Sequence, residues 1–304
     1  MALWDTAGNI VNDAATELGL QSFQAKSADP FGSADPNIGR LCQLLKSVGR
    51  DIQRQRGWTH LQGVCVLLTV ANQAQYDLPP DFGSMTNQTG WNRTNRMPLG
   101  GPLSPQEWQY LSGQLAGIVF TVLFRPMQGK LLLYPDTSTP GGYTLAYEYA
   151  SRWWCQSATV NAYGASQWLP STAYAAGAYV TNQGRVYLCG TAGTSGTTGP
   201  TGTGSAIADG TAVWGFVAAS GSDNPTASSD VVLFDPQLVT RALKLAYLRS
   251  VGMDSTAAEE DYLAAWAQAT AEDTPARVLD LGQPKLLRVP LIGDQNIPIT
   301  NFGT

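Results

Sequence analysis

The hydrophobic period of this chain changes twice, and each change restricts the folds open to it. Ile38, Leu41, Cys42, Leu45, Val48 and Ile52 recur at helical spacing and define one apolar face. From residue 63 to residue 152 the recurrence shortens to that of strands, and from Leu238 it lengthens again. A helix buries a stripe and a strand buries a face. A chain that carries both patterns in succession folds as a mixture of helices packed on sheet.

The helical segments carry their own punctuation. A first helix is expected over residues 2–18, with Ile10, Val11, Ala14, Ala15 and Leu18 at helical spacing and Gly19 as the cap. Asp35-Pro36 supplies an N-cap and a first-turn proline for the second helix, and Asp235-Pro236 repeats that signature. Beyond the repeat, Leu238, Val239, Ala242, Leu245, Ala246 and Leu248 make a wide stripe ending near Gly252. Thr256-Ala257-Ala258-Glu259 reads as a capping box for a last helix, with Leu263, Trp266, Ala267 and Ala271 as its buried face.

Between the helices lie β-rich runs at residues 64–70, 118–124, 130–134 and 143–149. Tyr143, Leu145, Tyr147 and Tyr149 alternate with smaller or polar residues, the mark of a sheet with two different faces. The 32 glycines and 18 prolines argue for many turns and against an all-helical chain.

Two further segments differ in composition. Residues 156–230 lack lysine, are rich in Gly, Thr, Ser and Ala, and carry aromatic residues at intervals. They read as a compact all-β module inserted into the chain. The stretch 281–304 has three prolines, three glycines and short apolar clusters without a period, the profile of an extended arm that orders on a partner. The expected organisation is therefore α+β. Residues 1–155 and 231–273 form a bundle of about four helices with a small antiparallel sheet. Residues 156–230 form the inserted module, and residues 274–304 the C-terminal arm.

Only 13% of the residues are charged, while 43% are apolar. So few charges point to a large core or to extensive contact with other subunits. The net charge of −5 gives no electrostatic grip on phosphate. No basic start followed by an apolar run opens the chain, and no stretch has the length of a membrane span, so no membrane partner is expected. Cys42, Cys65, Cys155 and Cys189 form no CxxC pair and read as free thiols of a reducing cytoplasm.

Catalytic constellations are missing. The one histidine, His60, has no evident partner and reads as structural. Gly202-Thr203-Gly204-Ser205-Ala206-Ile207 has Ile207 in place of the last glycine of a dinucleotide loop. No cluster has metal-ligand spacing. No enzyme activity, metal or cofactor is expected. Glu259-Glu260-Asp261 and Glu272-Asp273 read as solvated helix surface. Arg50, Arg54 and Arg56 either complement the negative end of their helix or face DNA or an acidic neighbour.

The order of elements carries a resemblance. Ile10 to Gly19 is followed by the helix from Ile38, then Arg56-Gly57-Trp58, then a strand ending in Tyr76-Asp77-Leu78-Pro79-Pro80-Asp81-Phe82. With the strand at 143–149 and the final helix pair, this resembles the head-to-tail adaptors of tailed bacteriophages. The resemblance implies a structural protein of the virion neck, between capsid and tail, assembled in the bacterial host cytoplasm. It implies a twelvefold ring of this chain that docks on the portal protein and extends the DNA channel. It also implies a surface for a tail or nozzle protein, and DNA passing without sequence-specific binding. Leu286, Leu287, Val289, Leu291, Ile292, Ile297, Ile299 and Phe302 would be the docking residues of the arm, and Arg50, Arg54 and Arg56 candidates for the channel wall.

A second resemblance is local. Trp168-Leu169-Pro170, Gly177-Ala178-Tyr179-Val180, Gly184-Arg185-Val186-Tyr187 and Asp209-Gly210-Thr211-Ala212-Val213-Trp214 are similar to small β modules related to chitin-binding modules. That likeness makes Trp168, Tyr174, Tyr187 and Trp214 candidates for contact with a glycan or partner, or else the core of a small module. The alternative function is thus a carbohydrate-binding decoration protein of the virion.

Overall fold

The computed structural model describes residues 4–21, 29–113, 121–135 and 142–273. Residues up to Asp273 form one compact unit. Residues 274–304, the expected arm, form a second unit and lie outside the described residues.

The first helix, α1, spans Ala7–Glu17 and begins where the Thr6 hydroxyl accepts the Asn9 amide at 3.3 Å. Helix α2 spans Pro36–Gln55, and the Asp35 carboxylate caps it by accepting the Asn37 amide at 2.8 Å. All six residues of its expected stripe are buried. Helix α3 spans Pro105–Gly113 and carries a capping box that the sequence reading missed. There the Glu107 carboxylate accepts the Ser104 amide at 2.8 Å and the Ser104 hydroxyl accepts the Glu107 amide at 3.2 Å. The short helix α4 spans Ala158–Tyr163. Helix α5 spans Pro236–Val251, capped by Asp235 and stopped by Gly252 at φ 76°.

Helix α6 spans Thr256–Asp273 and corrects two expectations. Its cap lies upstream of the expected box. The Ser255 carbonyl accepts the Glu259 amide at 2.9 Å, while the Thr256 hydroxyl donates to Asp254 at 2.7 Å. The buried face is also rotated: Ala265 and Ala269 are buried and Tyr262 and Trp266 pack on the core, while Leu263, Ala267 and Ala271 are exposed. Helices α1, α2, α5 and α6 share one core with Trp58, Trp154, Cys155, Val232 and Phe234. Gly49 of α2 makes room for Trp154: a Cβ there would sit 2.2 Å from the indole ring.

The expectation of a bundle with one small antiparallel sheet is overturned, because the described strands form five sheets and the molecule is β-rich. The strands are short and separated by Gly, Pro and Asn turns. Many are two to four residues long, too short for a period to show, so the expected β-rich runs 64–70, 130–134 and 143–149 account for only part of them. One sheet runs Gln62–Leu68, Thr144–Ser151, Trp91–Asn92, Met97–Pro98, with Phe82–Met85 also pairing to Thr144–Ser151. A second sheet has Lys130–Tyr134 between Gln75–Asp77 and Leu123–Met127. Gln128 and Gly129, at φ 53° and 73°, make the tight turn that sets its register. The two sheets close on one cluster that includes Cys65, Tyr76, Phe124, Leu131, Leu133, Tyr147 and Tyr149.

Segment 166–219 has a five-stranded sheet of its own, containing one parallel pair, Ser166–Gln167 with Tyr179–Asn182. It encloses a separate cluster of Trp168, Val180, Tyr187, Cys189, Ala212 and Trp214. Cys155–Gln156, entering this segment, pairs antiparallel with Gly221–Ser222, leaving it. A four-stranded sheet joins that pair to Val231–Val232 and, through it, to Asp5–Thr6.

Candidate functional site

The aromatic residues of segment 156–230 are arranged around a carboxylate. Asp209 is buried, and its Oδ2 accepts the indole N–H of Trp168 at 2.9 Å and that of Trp214 at 3.2 Å. Its Oδ1 accepts the Gly196 amide at 2.8 Å. Trp168, Tyr187 and Trp214 are all buried, so as the chain stands they offer no ring face to a sugar. Tyr174 is half-buried, its ring edge-on to Trp214 at 5.0 Å and its hydroxyl accepting the Leu169 amide. The open aromatic surface lies elsewhere. Tyr163 is 45% exposed and stacks on Tyr179 with ring centroids 4.3 Å apart. Nothing in residue type separates these tyrosines from the buried ones. The separation follows from which rings reach Asp209 and the core.

The arginines do not form one group. Arg50 and Arg54 are exposed on α2. Arg56 lies past the helix end in extended backbone and turns toward α6. It donates to the Thr270 carbonyl at 3.0 Å, lies 3.5 Å from the Asp273 carboxylate, and sits 5.8 Å from the centre of the Trp58 ring. Asp273 also accepts the Thr59 amide at 3.1 Å and the Thr59 hydroxyl at 2.5 Å. The last described residue of the chain is thus held by the turn that follows α2. The docking residues of the arm, Leu286, Leu287, Val289, Leu291, Ile292, Ile297, Ile299 and Phe302, lie outside the described residues.

His60 belongs to the same turn. Its Nδ1 is 3.6 Å from Asp273, and its ring packs against Trp4, Trp58 and Phe234. Burial holds its pKa below the ordinary 6.5, against the opposing pull of Asp273. The four cysteines are free and buried. Burial pushes the Cys42 thiol up to about 11 and the Cys65 thiol to about 12, which leaves little nucleophilic thiolate near neutral pH. Among the described residues, no group of three or more His, Cys, Asp or Glu could hold a metal ion.

A cleft of about 330 Å³ lies where the first sheet, segment 166–219 and the helical core meet, and Gln62, Asp81, Trp153, Gln167, Thr181 and Gln183 are among its lining residues. Asp81 accepts the Tyr149 hydroxyl at 2.9 Å, and burial raises its pKa above 3.8. Gln183, at the tip of the turn between Tyr179–Asn182 and Arg185–Thr191, donates to the Val66 carbonyl at 3.0 Å on the edge strand of the first sheet. These groups tie the segments together.

Among the described residues, no helix is long and apolar enough to cross a membrane. No curated protein matches the chain. A family model described as SU10 adaptor protein matches residues 5–185. The match begins at the strand before α1, takes in α2 and both sheets of the central core, and ends at the first residue of the strand Arg185–Thr191. It covers more than half of the chain, so the chain belongs to the SU10 adaptor protein family and is a structural adaptor of the bacteriophage virion neck.

Proposed function

We propose that this chain is a ring subunit of the neck that docks on the portal protein, extends the DNA channel and presents the next surface to a tail protein. Membership of the adaptor family carries this reading. The apolar clusters of the C-terminal segment at Leu286, Leu291 and Ile297 support it. Residues 274–304 are the arm that docks on the portal, ordering as it binds. A heterologous contact repeated around an axis closes the ring, with twelve copies as in the resemblance. Arg50 and Arg54 remain candidates for the channel wall, and Arg56 is spent within the subunit. The net charge of −5 suits a wall past which DNA slides.

The antiparallel pairing of Cys155–Gln156 with Gly221–Ser222 supports segment 156–230 as an inserted module, since entry and exit then share one point. Its role is contact with a neighbouring virion protein. A second reading, glycan binding by that segment, has in its favour the exposed Tyr163 stacked on half-buried Tyr179.

Deleting residues 281–304 tests the docking role. The truncated chain is expected to keep its thermal melt and lose binding to the portal, and tight binding by the truncated form would refute the arm. A glycan array with the full chain separates the second reading, which requires binding that Tyr163→Ala removes.

A further inference from the structure

The exposed ring stack and the cleft meet on one side of one strand. Along Tyr179–Asn182, Val180 and Asn182 are buried, and Val180 belongs to the core of its own segment. Tyr179 and Thr181 share the opposite side, with Thr181 about 7 Å further along the strand. At one end Tyr163 of α4 stacks on Tyr179. At the other Thr181 lines the cleft beside Gln167, whose Oε1 lies 3.5 Å from the Thr181 hydroxyl. Ring stack, hydroxyl and amide thus lead in order into the cleft.

The cleft offers hydrogen bonds with little charge. Gln62, Gln156, Gln167 and Gln183 line it, and each amide can both donate and accept. Among the described residues, the side chains of Gln62 and Gln156 and the indole N–H of Trp153 have no hydrogen-bond partner in the chain. No Lys or Arg is among the described lining residues, and burial keeps His60 neutral near pH 7. Asp81 is the one carboxylate there, already bonded to the Tyr149 hydroxyl and lying in the field of Arg185. A phosphate or sulfate finds no cation in such a lining, and a cation finds only an engaged acid. Amides that donate and accept side by side suit vicinal hydroxyls, and an aromatic face suits the apolar side of a pyranose ring.

We propose that this track binds a neutral pyranose oligosaccharide. One sugar lies on the Tyr163–Tyr179 stack. The following sugars run past Thr181 and Gln167 into the cleft, where the free groups of Gln62, Gln156 and Trp153 hydrogen-bond them. The inference rests on the glycan reading of segment 156–230. It takes the site beyond that segment, since Gln62 and Trp153 belong to the part of the chain on which the segment is mounted.

The test puts the full chain on an array of neutral, sialylated and sulfated oligosaccharides, then titrates it by calorimetry with the best-bound neutral tetrasaccharide and its monosaccharide. The tetrasaccharide is expected to bind about tenfold more tightly than the monosaccharide, because it reaches from the stack into the cleft. Gln62→Ala with Gln156→Ala is expected to weaken the tetrasaccharide about tenfold. The thermal melt of that variant is expected to stay as in wild type, since neither side chain bonds within the chain. Tyr163→Ala is expected to weaken the tetrasaccharide about tenfold as well. Tyr110→Ala, which removes an exposed ring on α3, is expected to change nothing. Binding that Tyr163→Ala removes and the glutamine pair leaves intact overturns the track while the glycan reading stands. A preference for sialylated or sulfated sugars overturns the neutral ligand. A chain that binds no sugar overturns both the track and the glycan reading.

Discussion

Asp209 accepts three hydrogen bonds inside segment 166–219, and its replacement gives a measurable number. Asp209→Ala removes one acceptor from three donors: the Trp168 indole, the Trp214 indole and the Gly196 amide. Both indoles are buried, so water cannot replace the carboxylate without opening the cluster. Hydrogen bonds to a charged acceptor are worth about 1.5–3 kcal/mol each, and members of one network do not add fully. The expected loss is about 3–6 kcal/mol, enough to unfold the segment or leave it marginal. Asp209→Asn keeps the Gly196 bond through its carbonyl and turns an amide toward the indoles, so about half that loss is expected. Urea unfolding followed by tryptophan fluorescence checks it: Trp168 and Trp214 are two of the chain's nine tryptophans, so the transition that shifts relative to wild type is the one that reports on the segment. A loss below about 1 kcal/mol for Asp209→Ala would refute the claim that this carboxylate organises the rings.

Three further outcomes follow from packing and titration. Gly49→Ala gains about 1 kcal/mol of helix propensity but drives a methyl to 2.2 Å from Trp154, a fully buried ring stacked on Phe234, so a net loss of about 1–3 kcal/mol is expected in thermal melts. The four buried thiols are expected to resist a thiol reagent at neutral pH in the native chain and to react fully in denaturant, as counted by absorbance. Asp81 binds its proton more tightly folded than unfolded, since burial raises its pKa above 3.8. Its contribution is fully present below the unfolded value and is lost as pH rises through the folded one. Asp81→Asn is therefore expected to flatten the pH dependence of stability between about pH 4 and neutral, and urea titrations at both ends check it.

Much of the helical part was legible because its signals are local. Asp35-Pro36 and Asp235-Pro236 fix helix starts through side-chain caps a few atoms away, and the stripe from Ile38 to Ile52 is buried as its spacing requires. The alternation of Leu145, Tyr147 and Tyr149 placed them on one buried face for the same reason. The division of the central strands into two sheets, and the shortest of those strands, were not legible, since segments of two to four residues leave too few positions for a period to show. Helix α6 has no unique stripe in its sequence because alanine recurs on every side of it, and only the position of α5 and Trp58 selects Tyr262 and Ala265 over Leu263 and Ala267.

The candidate surfaces divide along the same line. The sequence by itself determined residue types, caps and turns, and hence that aromatic rings in segment 156–230 and arginines near the end of α2 were available for contact. Only the tertiary structure decided which of them are. Asp209 draws the indoles of Trp168 and Trp214 inward and leaves Tyr163 outside, and Asp273, more than two hundred residues away in the chain, takes Arg56 from Arg50 and Arg54. Such assignments rest on charges and hydrogen-bonding groups meeting across the fold, and local pattern contains no record of those partners.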